Sequence, residues 1–88
     1  MCRNIRTLAN FEPPATDDEI RASALQFVRK LSGTRQPARV NEEVFNRAVD
    51  EITAAARQLI HSLEIHAPPR DRDTERRKAH ERAQKRFA

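Results

Sequence analysis

The five prolines fall at three places, Pro13-Pro14, Pro37 and Pro68-Pro69, and the single glycine, Gly33, lies just ahead of the second. Proline has no amide hydrogen and biases the residue before it away from the helical region, so each place stops a helix. These stops leave two interior windows for helices, one from Pro14 to Gly33 and one from Pro37 to Pro68. An opening arm and a tail are left outside them.

The first window begins with a complete helix-start signal. Thr16 is a good N-cap, Glu19 completes a T-x-x-E capping box, and Ala15 can staple against Ile20. Asp17 and Asp18 suit the positive end of the helix dipole, and Arg29 and Lys30 suit the negative end. Ile20, Ala24, Phe27, Val28 and Leu31 share one helical face, and Gly33 sits where a left-handed residue ends a helix. A helix is expected over 17–32. In the second window Asn41 is the expected cap, with Val40 stapled to Phe45 and Glu42 and Glu43 in the first turn. Phe45, Val49, Ile52, Ala56, Leu59, Ile60 and Leu63 form the apolar stripe of a helix over 42–65, with Ile52 and Leu59 read as core. A connector of about eight residues folds the two helices back antiparallel.

The expected fold class is therefore all-α: an antiparallel two-helix hairpin with a docked N-terminal arm (1–15) and a basic, weakly helical C-terminal tail. From Ile5 to Ile65 the strong apolar side chains number 17, a small supply for a monomer. Either Ile5, Leu8 and Phe11 of the arm pack onto the hairpin and cover Leu25, or a second subunit makes a homodimer. Composition separates a helical domain over 1–66 from the tail over 67–88. The tail carries eight basic residues, Arg70, Arg72, Arg76, Arg77, Lys78, Arg82, Lys85 and Arg86, against Asp71, Asp73, Glu75 and Glu81, a net of +4. The formal charge of the whole chain is also +4, so the remainder is neutral. Asp73 or Thr74 is the expected cap of a thin tail helix carrying Ala79, Ala83 and Phe87 on one line.

The opening MCRNI, the stretch NFEPPATDDEIRASALQFVRKLSG and the motif APPRDR closely resemble a family of small bacterial proteins classed as a domain of unknown function. The resemblance covers essentially the whole chain. It implies a short, mostly helical cytoplasmic protein and supplies no activity, cofactor or catalytic residue.

Chemistry must therefore be sought in the residues. No G-x-S-x-G or Gly-rich phosphate loop is present, and one glycine nearly excludes cradling a phosphate with backbone amides. His61 and His66, five apart, lie about 140° apart round a helix and cannot share a metal, so no cofactor is expected. No apolar run is long enough to cross a membrane, and a single cysteine gives no internal disulfide, which fits the cytoplasm. Two readings remain. The first is a non-enzymatic interaction module whose tail cations bind nucleic acid or an acidic protein surface. The alternative is a thiol-dependent or metal-assisted activity centred on Cys2, which removal of Met1 would leave as an N-terminal amine and thiol beside Arg3 and Arg6.

Overall fold

The computed structural model describes residues 5–87. In chain order the elements are a two-residue strand β1 (Phe11–Glu12), helix α1 (Asp17–Ser32), a 3₁₀ turn (Arg39–Asn41), helix α2 (Glu42–Ser62), strand β2 (Arg70–Asp71) and helix α3 (Arg72–Phe87). The protein is mostly helical, with three helices among the described residues. The all-α expectation is corrected by a minimal parallel sheet, in which Phe11 pairs with Arg70 and Glu12 with Asp71.

Helix α1 starts and stops on its sequence signals. Thr16 is extended (φ −84°, ψ 160°). Its hydroxyl accepts from the Glu19 amide at 3.2 Å, and the Glu19 carboxylate accepts from the Thr16 amide at 3.0 Å. At the other end Gly33 has φ 72°, a left-handed conformation that glycine enters without a Cβ penalty, and its amide donates to the Arg29 carbonyl.

Helix α2 departs from expectation at both ends. Asn41 makes no side-chain cap bond, because the chain already winds through the 3₁₀ turn before it. Val40, within that turn, is exposed and does not staple onto Phe45. The helix ends at Ser62 and not 65: Leu63 is extended (ψ 132°) while its amide still donates to the Leu59 carbonyl. Non-helical backbone from 63 to 69 lets the carbonyls of Ala67 and Pro68 accept from the side-chain amide of Asn10 (3.3 and 3.1 Å). Asn10 itself has φ 63°, a region that asparagine tolerates better than most residues, and its carbonyl accepts from the Arg70 amide at 2.8 Å. The arm thus meets the segment that leads into the tail, and β1 and β2 form there.

The core lies between α1 and α2. Ala24 and Val28 of α1 cluster with Phe45 and Val49 of α2, and Leu25, Ala48 and Ile52 pack around them. Ile20 is fully buried. Thr53 is buried too, its hydroxyl donating to the Val49 carbonyl at 2.6 Å, and no buried side-chain polar atom among the described residues is left without a partner. Leu59, expected in the core, is 60% exposed, because it sits to one side of the Phe45–Val49–Thr53 face that meets α1. The tail helix starts earlier than the expected caps Asp73 or Thr74 would place it. It begins at Arg72, and its cap is Asp71, whose carboxylate accepts from both the amide and the hydroxyl of Thr74 at 2.8 Å.

Replacing Ile20 by Ala is expected to cost about 2–5 kcal/mol as a core truncation. Leu59→Ala is expected to stay within about 0.5 kcal/mol. Urea unfolding at one fixed protein concentration measures both, and comparable losses would misplace the core.

Candidate anion-binding cleft

The parallel pairing of Phe11 with Arg70 and Glu12 with Asp71 carries the next residue, Arg72, alongside Pro13. The backbone there offers carbonyls that α1, starting at Asp17, does not use. Arg72 Nε donates to the Pro13 carbonyl at 2.9 Å and Nη2 to the Pro14 carbonyl at 3.1 Å. Nη1 and Nη2 also bind the two oxygens of Glu19, each at 2.9 Å. Four of the five N–H bonds of the guanidinium are thereby engaged. The pair is largely shielded, with 28% of the Arg72 side chain and 19% of the Glu19 side chain exposed.

Glu19 has further donors. Its Oε1 accepts from the amide and hydroxyl of Thr16, and its Oε2 from Arg6 Nη2 at 3.2 Å. The Arg72 hydrogen bonds, followed by the Thr16 amide, pull its carboxyl from 4.5 down to about 2. The capping-box glutamate is therefore also the junction between the arm, α1 and the start of α3. Asp71 is likewise held below the ordinary aspartate range, first by the Thr74 amide and then by its hydroxyl.

Above this junction opens a cleft of about 400 Å³ between the arm and α3. Arg6, Arg70, Arg72, Arg76 and Arg82 line it against Glu19 and Glu75, so five positive charges face two negative ones, a net of +3. Leu8, Phe11 and Ala79 give it an apolar floor. The guanidiniums of Arg70 and Arg72 lie 5.9 and 5.8 Å from the centre of the Phe11 ring, within cation–π range. Arg76 reaches Asp73 only at 3.9 Å, and Arg70 and Arg82 have no carboxylate partner among the described residues.

The eight tail cations singled out in the sequence thus divide. Arg70, Arg72, Arg76 and Arg82 line the cleft, with Arg72 committed to its internal partners. Arg77, Lys78, Lys85 and Arg86 lie exposed on α3 outside the cleft, with Lys78 3.8 Å from Glu75. Cys2 and Arg3 lie outside the described residues. His61, His66 and His80 are exposed, and no group of three potential metal ligands forms among the described residues. The sequence reading missed the contributions of Arg6 and Phe11. The proline-broken stretches FEPP and PPRDR that meet here carry no periodic signal of their pairing.

The family described as an uncharacterized conserved protein family, DUF2277, matches residues 1–78, from the arm through the first seven residues of α3. No curated protein and no solved structure matches the chain.

A carboxyl whose folded-state pKa lies below its unfolded one stabilises the fold fully above the unfolded value and loses that contribution as pH falls through the folded one. For Glu19 the contribution is on the order of 2–3 kcal/mol. The stability gap between wild type and Glu19→Gln is therefore expected to be full near neutral pH and to narrow as pH falls from about 4.5 to about 2. Denaturant unfolding at several pH values measures it, and a gap constant across that window would contradict the assignment.

Proposed function

The chain belongs to this family of uncharacterized conserved proteins, and we propose that it is a non-enzymatic module that binds nucleic acid through the arginine cleft and the exposed cations of α3. The observation that carries this reading is the cleft's excess of five arginines over two glutamates, with Arg70 and Arg82 lacking a carboxylate partner among the described residues. A planar guanidinium matches the oxygens of a phosphate in a bidentate fork, and such contacts need charge and reach but no glycine loop. Arg77, Lys85 and Arg86 would extend the contact along the backbone of a longer ligand. A single partly shielded phenylalanine offers little base stacking, so recognition would rest on phosphates more than on bases.

In this reading α1 and α2 are an antiparallel hairpin that serves as a base. Support comes from ion pairs that link the helices in opposite sequence order, Asp17 with Arg57 at 2.9 Å and Arg21 with Asp50 at 2.6 Å. The docked arm then forms one wall of the cleft and α3 the other. A single cysteine suits a reducing cytoplasmic setting.

Fluorescence anisotropy with labelled DNA and RNA oligonucleotides across a salt series tests the reading. Affinity is expected to fall steeply with salt, and Arg76→Ala and Arg82→Ala are each expected to reduce the slope by about 1. Binding that is absent, or unchanged in both variants, would refute it.

A further inference from the structure

Of the 17 strong apolar side chains from Ile5 to Ile65 only four are buried, Ile20, Val28, Phe45 and Val49, while Phe27, Leu31, Val40, Val44 and Leu59 are among eight that stay exposed. Part of this surface is organised. A groove of about 610 Å³ runs between the end of α1, the connector and the first half of α2, lined by Leu31, Pro37, Ala38, Val44, Ala48 and Ile52 among others. Leu31 is 71% exposed and Val44 62%, and Val40 in the adjoining turn is 87% exposed. No residue lining the groove carries a charge.

The dimensions of the chain point the same way. A folded monomer of 10.2 kDa is expected to expose about 5,300 Å². This chain exposes 7336 Å², an excess of about 2,000 Å² over that expectation. Its Cα radius of gyration is 15.7 Å, against about 12 Å for a compact domain of this length. The extents are 45 × 37 × 15 Å, a flattened and not a rounded shape. A stable domain normally buries its apolar face between two layers, and among the described residues Leu31 and Val44 of this groove stay uncovered.

We propose that a second copy of this chain supplies that layer, the two grooves meeting about a two-fold axis. An uncharged apolar patch is complementary to itself, which is what a two-fold contact requires. The excess belongs to the whole chain, α3 and the arm included, and leaves room for the roughly 800 Å² that each partner buries in a standard interface. An acidic partner or nucleic acid finds no cation in this groove to pair with. The cationic cleft is lined by the arm, Glu19 of α1, β2 and α3 and shares no residue with the groove, so the dimer leaves it open and does not depend on the proposed function.

The test is the solution mass of the full chain by sedimentation equilibrium, with urea unfolding at several protein concentrations. A mass of about twice 10.2 kDa is expected, with an unfolding midpoint that rises with concentration. Val44→Glu and Leu31→Lys are each expected to weaken association at least tenfold, while Arg82→Ala leaves it unchanged. If either groove variant fails to fold, the concentration dependence of the wild-type midpoint decides. A monomeric mass with a concentration-independent midpoint would overturn the proposal. So would a dimer that both folded groove variants preserve.

Discussion

Glu19 accepts hydrogen bonds from three separated parts of the chain: Arg6 in the arm, Thr16 at the head of α1, and Arg72 at the head of α3. A surface ion pair usually contributes little, because water screens it and two long side chains must be ordered. This one differs in shielding and geometry. Both oxygens are engaged by one rigid guanidinium, two of whose other three donors are taken by the Pro13 and Pro14 carbonyls. Removing either partner would leave a charge half out of water with nothing to replace it, which costs more than the loss of one ordinary hydrogen bond. The docking of α3 depends on this clasp, since the helix has almost no apolar surface of its own.

The clasp and the α1–α2 core do different work. Ile20, Ala24, Val28, Phe45 and Val49 hold α1 and α2 together by burial. The polar junction then fixes the direction in which arm and tail leave that core, and the cationic cleft is the space it creates. Arg72 serves the frame, which leaves Arg70, Arg76 and Arg82 turned toward that space. An α3 anchored at its first residue keeps those cations in a fixed relation to Arg6 and Phe11, as a flexible basic tail would not.

Features encoded within four or five residues were legible in the sequence. The Thr16–Glu19 box, the left-handed Gly33 and the Ile20, Ala24 and Val28 part of the α1 stripe rest on local geometry, and the structure has them, while Phe27 and Leu31 of that stripe stay exposed. Legibility failed where long-range contacts compete. Leu59 fits the α2 periodicity, but the breadth of the contact with α1 decides burial, and α1 covers only one side of α2. The unwinding after Ser62 and the cap at Asp71 serve a strand pairing between residues nearly sixty positions apart, which no local pattern announces. For the same reason Glu19 was legible as a cap and not as the partner of Arg72. The tail arginines could be read as a charged set, but not divided between frame and cleft.

The most direct test of the clasp is a double-mutant cycle between Glu19→Gln and Arg72→Gln, read by urea unfolding at neutral pH. If the two side chains support each other as the geometry requires, the losses are strongly non-additive, with a coupling energy of about 1–3 kcal/mol. Losses that add to within about 0.5 kcal/mol would show that Glu19 and Arg72 act independently, and that something else holds α3 in place.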